Sequence, residues 1–273
     1  MTGTGTQADP YIVDTWSDFV AAVGTTGAYV EVVPETVWDM NEIAPLGAGT
    51  VSINCAAING NGAVIKAANI TSDLLQFYKN CTVKRLNILD FDGKAYVMRV
   101  SGGATATLKK CSVTGIFNAA NSSVFYSDSG MIVFTADEPE YPGEKELGSM
   151  IDIISNNGSG ICGAYYAGST LVLRYTNLHY VGDFDGSAYR HGVSVFDSLI
   201  TGELNSATFV SIQRTEIDAS GTLSSSSAVQ TLVNSSRATI ASGNFTAVTP
   251  EQMTDSAYLQ SIGFPIGVIV NAV

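Results

Sequence analysis

Basic residues are scarce in this chain. Its 273 residues hold 13 Lys and Arg against 25 Asp and Glu, a formal charge of −12, and no Lys/Arg run breaks the pattern. That leaves no electrostatic case for nucleic acid as a partner. Charge of either sign is sparse, at 14% of residues. A helical bundle or coiled coil needs far more Glu, Lys and Arg, and a disordered chain would not be 45% hydrophobic. No apolar run reaches the roughly 18 residues that cross a bilayer, so no membrane span is expected. The opening Met1-Thr-Gly-Thr-Gly-Thr6 lacks the basic start and apolar stretch of a secretory leader, and the expectation is a chain made in a cytoplasm. The only cysteines are at 55, 81, 111 and 162, and none are spaced as a Cys-x2-Cys zinc pair. They read as thiols.

What is plentiful is Gly, Ser, Thr, Asn and β-branched residues, the composition of an all-β protein. One local pattern recurs: apolar, two residues, a small Cys, Thr or Ser, one residue, apolar. It appears as Tyr78-x-x-Cys81-x-Val83, Leu108-x-x-Cys111-x-Val113, Leu173-x-x-Thr176-x-Leu178, Val195-x-x-Ser198-x-Ile200 and Ile212-x-x-Thr215-x-Ile217. Weaker copies surround Cys55, Ser155 and Ser235, and Met131–Phe134 supplies a further strand. A period of about 20 residues built from strands and turns reads as a β-solenoid. Stacked coils bury a continuous apolar column that no single coil can bury, with each strand parallel to its equivalent in the next coil. The small residue is expected to point inward and stack on its equivalents. The chain has room for eight or nine coils.

The ends read as caps. Asp14 or Thr15 can start a helix that carries Trp16, Phe19, Val20 and Val23 and stops at Gly24, with Asp18 as the second half of a capping box. Lacking Lys and Arg, it does not read as a membrane-surface helix. Thr249-Pro250-Glu251 starts a second helix, with Met253, Ala257 and Leu259 following and Gly263 ending it. A final strand is expected over Ile266–Val270. The expected organisation is an arm and capping helix over 1–27, a β-solenoid over 28–248 and a C-terminal helix/strand cap over 249–273. Two stretches read as excursions: 117–150, with its two-proline segment Asp137–Gly143, and 179–192, which carries both histidines. Ser224–Ser227 reads as a flexible turn.

Taken together, the opening Gly5-Thr-Gln-Ala-Asp-Pro-Tyr-Ile-Val13, the following Trp16-Ser-Asp-Phe19, the coil repeat from about 50 to 247 and the ending Ser261-Ile-Gly-Phe-Pro265 resemble a known group. They are similar to the right-handed parallel β-helix proteins of the pectate-lyase-like kind, in particular the β-helix virion proteins of tailed bacteriophages of gut bacteria. The resemblance covers nearly the whole chain. It implies an all-β, single-stranded, right-handed parallel β-helix, located in a virion. It also implies phage capsid or other virion proteins as partners and a homo-oligomer, a trimer in the first instance.

Many members of the wider group cleave polysaccharides with Asp clusters, Ca²⁺ and an Arg or Lys base, or with Asp residues, Gly-His-Gly and Arg-x-Lys. This chain has Arg190-His191-Gly192 without the leading Gly and without Arg-x-Lys beyond it. Asp183 and Asp185 lie near His191, so an acid–base site is conceivable, against the plainer reading of a polar loop. Asp90-Phe-Asp-Gly93 and Asp183-Phe-Asp-Gly186 repeat one tetrapeptide. It can open a Ca²⁺ loop or simply form a turn, and the further oxygen ligands are missing. Tyr165, Tyr166, Tyr175, Tyr180 and Tyr189 suit either glycan stacking or wall packing. No Asp/Arg cluster is apparent along the sequence. The expectation is therefore no catalytic residue, no cofactor and no metal. It favours a structural virion protein, such as a capsid decoration or head-fibre component. A tail spike binding or cleaving a surface polysaccharide is the alternative, and an unanchored bacterial adhesin comes third.

Overall fold

The computed structural model describes residues 1–43, 49–68, 70–93, 95–118, 123–136, 148–156, 160–164, 170–185 and 192–264. The chain is a parallel β-helix, as the repeat implies. Among the described residues, sheet A has ten strands, from Tyr11–Val13 to Ala228–Val229. Sheet B has eleven on its main path, from Val37–Asp39 to Thr246–Val248, and sheet C five, from Val51–Ile53 to Gly160–Ala164. The chain visits A, B and C in turn through the first coils. Among the described residues it enters sheet C last at Gly160–Ala164 and alternates between A and B from there as far as Leu232–Asn234. The coil shortens accordingly, from the 25 residues between Val83 and Leu108 to the 17 between Val195 and Ile212. Between residues 28 and 248 sheet A is crossed nine times, as the repeat length implies, and the tenth strand is Tyr11–Val13, ahead of that span.

Alternation along each strand sets the core. In sheet A one inward column runs Val30, Ile58, Val83, Leu108, Phe134, Leu173, Val195, Ile212 and Ala228, each in register with the next. In sheet B the matching column runs Ile65, Ile88, Val113, Ile151, Leu178, Ile200, Ile217 and Val233. Every member of both columns is buried. Each aliphatic side chain so buried contributes roughly 1.5–3 kcal/mol, against a backbone cost of about 1–2 kcal/mol per ordered residue.

The recurring small residue marks the corner from sheet A to sheet B. Ahead of it stands one residue in the left-handed region: Lys110 (φ 51°), Tyr175 (50°), Asp197 (50°), Arg214 (46°) or Gln230 (46°). That conformation costs a non-glycine residue about 1–2 kcal/mol. The next residue offsets part of the cost. Thr176 Oγ1 donates to the Arg174 carbonyl at 3.0 Å, Ser198 Oγ to Phe196 at 2.7 Å and Thr215 Oγ1 to Gln213 at 2.9 Å. Thr231 repeats the bond with Val229 at 3.1 Å, and Ser149 with Thr135 at 2.9 Å. The corner column is thus Cys111, Ser149, Thr176, Ser198, Thr215 and Thr231.

Cys81 and Cys55 are not in it. Both face inward, but at the other end of sheet A: Cys81 aligns with Ala106, and its Sγ lies 3.7 Å from that of Cys55. Tyr78, the apparent first residue of that copy, is 41% exposed and outside the core. The Ser155 and Ser235 copies also fall elsewhere, at a strand end and in a turn.

Other expectations shift in detail. The solenoid starts before residue 28, because Tyr11–Val13 already pairs with Tyr29–Val32. Much of 117–150 is regular coil, formed by Ser123–Ser127 and Met131–Thr135; residues 137–147 lie outside the described residues. Ser224 and Ser225 end a strand, and Ser226 Oγ donates to the Val210 carbonyl at 2.6 Å, so the serine run is built into the wall. Helix α1 (Trp16–Gly24) is capped by Thr15, whose hydroxyl accepts from Asp18 N. The Asp18 carboxylate takes the Met1 ammonium as its partner, so the expected reciprocal bond is replaced. Phe19, Ala22 and Val23 are buried and Val20 points outward. A single turn, α2 (Met40–Ile43), follows. The C-terminal helix is two helices, α3 (Pro250–Thr254) and α4 (Ser256–Ser261). Asp255 breaks the run because its carboxylate accepts from Ala257 N and Tyr258 N and starts α4 afresh. The expected strand over Ile266–Val270 lies outside the described residues.

Candidate functional site

Among the described residues, the outer face of sheet C carries a group of side chains whose chemistry resembles a site. Met98 and Val100 of strand Met98–Val100 face the core, so Arg99 faces out. Register places Gln76 on one side of it and Tyr126 on the other. Asp73 precedes the strand that carries Gln76, and Asp128 follows the strand that carries Tyr126. Three successive coils therefore meet at Arg99. Its Nε and Nη2 donate to Asp128 Oδ2 at 3.2 and 2.9 Å, and Nη1 lies 3.6 Å from Asp73 Oδ2. Ser101 Oγ donates to the same Asp128 oxygen at 2.7 Å, and Gln76 Nε2 donates to Ser101 Oγ at 3.3 Å. The guanidinium sits 5.4 Å over the Tyr126 ring, which stacks on Tyr96 at 4.5 Å.

Electrostatics bind this group to itself. Burial pushes the Asp73 carboxyl up, and Arg99 pulls it part of the way back. Burial would lower the Arg99 guanidinium, but Asp128 and Asp73 more than offset it and hold the charge. Asp128 accepts three bonds, all through Oδ2. The arrangement clamps coils together, and it presents a polar, aromatic-edged patch to solvent.

An Asp/Arg cluster thus exists where none was expected. The repeat at the corner between sheets A and B carries no sign of it, because its members lie on and beside sheet C. Aligning the chain on sheet C would have set Gln76, Arg99 and Tyr126 in one column.

The residues singled out for chemistry are used in structure where they are described. In Asp90-Phe-Asp-Gly93, Asp90 is the extra residue of a bulge (φ 54°) and Phe91 is in the core. Asp92 accepts from Asn118 Nδ2 at 2.8 Å, and Asn118 accepts in turn from Asn156 at 3.0 Å, a polar ladder across three coils. In the second copy, Phe184 is buried against Tyr180 and Phe209, and Asp185 Oδ1 accepts from Thr208 N at 3.0 Å. The Asp183 carbonyl accepts from the Tyr180 hydroxyl at 3.4 Å. Among the described residues no three His, Cys, Asp or Glu side chains are grouped to hold a metal ion. His179 shares a 2.9 Å hydrogen bond with Thr201. Tyr180 is a core residue rather than a surface one, and burial raises its phenol. Tyr165, Tyr166, Tyr189, Arg190 and His191 lie outside the described residues.

Other charged groups repeat the clamp. Arg214 makes two 2.6 Å bonds to the carboxylate of Asp197 one coil away, and Arg237 lies 3.3 Å from Asp218. Arg174 sits 4.8 Å over the ring of Phe196 in the next coil. Compared with known proteins, the chain matches no family model, no curated protein and no solved structure.

Proposed function

We propose that this protein is a non-enzymatic structural component of a tailed-phage virion, a capsid decoration or head-fibre element with a β-helix body. Its partners are other virion proteins and further copies of itself. The observation that carries the non-enzymatic part is how the wall spends its charge. Arg99, Arg214 and Arg237 each bind an Asp of a neighbouring coil, and Asp128 has three donors on one oxygen. Such pairs stiffen a stack of coils, as a fibre or shell ornament requires. The virion location draws on the resemblance of the opening and the coil repeat. Antibody-labelled electron micrographs of purified virions test it. Label over the head shell is expected. Label at the tail tip, or virions without the protein, would overturn it.

A second reading is a tail spike that binds or cleaves a bacterial surface polysaccharide, and the wall at Asp73 favours it. A carboxyl raised by burial beside a fixed guanidinium and an aromatic pair is the kind of group that handles sugars. Incubation with host capsule and pectin, with and without Ca²⁺, separates the two. No release of reducing ends or unsaturated sugar is expected. Steady cleavage lost in Asp73→Asn, Asp183→Asn or His191→Ala would establish the spike reading.

A further inference from the structure

The two ends of the solenoid are finished differently. At the N-terminal end, Thr2 pairs with Ile12 in an antiparallel bridge along the first strand of sheet A. Helix α1 lays Phe19, Ala22 and Val23 on the first coil, all fully buried. At the other end, strand Ala238–Ser242 pairs with Glu216–Ser225, and among the described residues no strand pairs with its outer edge. Ala238 and Ile240 of this strand and Phe245 after it pack on the core while staying partly exposed, and strand Thr246–Val248 reaches one layer further out, on Leu232–Asn234. Thr239, Ala241 and Ser242 are exposed. The apolar side chains of α3 and α4 pack elsewhere, around Leu232 and Val248.

Open strand edges are normally blunted by Lys, Pro or a covering segment, because an unpaired row of N–H and C=O groups is a template for another chain. Ala238–Ser242 has no charge and no proline, and Arg237 is the only charged residue from Ala219 to Thr249. Arg237 itself is turned to Asp218. In a chain of net charge −12, this strand edge itself carries no charge that would repel a second copy. The N-terminal end is covered, so stacking head to tail into a fibre is blocked.

We propose that the C-terminal edge is a self-association surface, with Ala238–Ser242 of one copy pairing antiparallel with Ala238–Ser242 of a second about a two-fold axis. The sheet then continues from one solenoid into the next, and Ile240 meets its counterpart. This end-to-end dimer takes the place of the trimer expected from the resemblance, and it does not depend on a virion location. Centred on Ile240, the axis sets Thr239 of one copy opposite Ala241 of the other. Like charges there repel directly.

Sedimentation velocity on the full chain at micromolar concentration tests the proposal. Three proteins are compared: the native chain, Thr239→Lys with Ala241→Lys, and Thr239→Glu with Ala241→Glu. Both positions are exposed, so circular dichroism should show all three folded. A dimer is expected for the native chain, weakened about tenfold or more in each charged variant. An equimolar mixture of the Lys and Glu variants should recover it. Deletion of residues 265–273 should leave it intact. A native monomer, a native trimer, a dimer indifferent to the charges or a dimer lost with the deletion would each overturn the proposal.

Discussion

Gly202 lies in register beside Tyr180 on the neighbouring coil, with no room for a β-carbon between the two backbones. A Cβ on Gly202 would stand 2.2 Å from the Tyr180 carbonyl oxygen, and its φ of 108° strains any other residue. Tyr180 fills the core, and Gly202 lets the next strand close over it. Gly115 beside Phe91 repeats the device, with a Cβ 2.1 Å from the Phe91 carbonyl oxygen.

Gly202→Ala should therefore destabilise the fold by about 3 kcal/mol or more, since backbone must move on both coils. Gly102→Ala, where φ is 67° but nothing lies within 4 Å, should cost only about 1 kcal/mol. Urea unfolding of the two variants gives the comparison. Equal losses would mean that the close approach is not felt.

The corner column predicts the behaviour of Cys111. Its thiol stands where neighbouring coils have a hydroxyl, and its N–H donates to Ser149 Oγ at 3.3 Å. Cys111→Ser should be tolerated within about 1 kcal/mol, because Ser supplies the bond its column uses. Cys111→Asp buries a carboxyl without a matching donor and should cost more than about 3 kcal/mol. All four cysteines are free and buried, and burial pushes the Cys162 thiol up to about 12. A thiol reagent should leave the folded protein unlabelled and react fully in denaturant. Rapid labelling of Cys81 and Cys111 in the folded protein would break the inward register.

Glu216 gives stability a pH dependence. Burial, with Asp218 nearby, pushes its carboxyl from 4.5 up to about 7. The folded state then holds a proton that the unfolded state has released between these values. Stability from this group is greatest below about pH 4.5, falls as pH rises toward 7 and stays low above it. The loss is at most about 3 kcal/mol. Glu216→Gln should remove the slope and raise the melting temperature at pH 8 above that of the native chain. Parallel pH profiles for both proteins would refute the assignment.

The clamp at Arg99 should show as coupling. A double-mutant cycle of Arg99→Met and Asp128→Asn should give an interaction energy of about 1 kcal/mol, modest because both side chains are partly exposed. Asp73→Asn should cost less than Asp128→Asn, since Asp73 stands 3.6 Å from the guanidinium and Asp128 only 2.9 Å. Complete additivity would mean that the coils of Arg99 and Asp128 are not tied at this point.

The sequence by itself determined the coil. Alternation along Ile151–Ile153 or Ile132–Phe134 fixes which side chains face in, and a small hydroxyl residue after a left-handed one fixes the corner. Both are local requirements, met within a few residues, so Thr176, Ser198 and Thr215 were legible as equivalents. The starts of the first and third helices were legible for the same reason, at Thr15 and Thr249.

Only the tertiary structure decided which residues meet between coils. Coil length varies from 16 residues between Ile212 and Ala228 to 39 between Phe134 and Leu173, so separation along the chain does not predict register. That is why the local pattern shared by Cys81 and Cys111 does not make them equivalents: Cys81 stacks with Cys55 and Ala106 at the opposite edge of sheet A. It is also why Asp73, Arg99 and Asp128 went unseen. Each is an ordinary outward residue of its own strand or turn, and their cluster exists because parallel pairing sets three coils side by side, with backbone bonds that do not depend on side-chain identity.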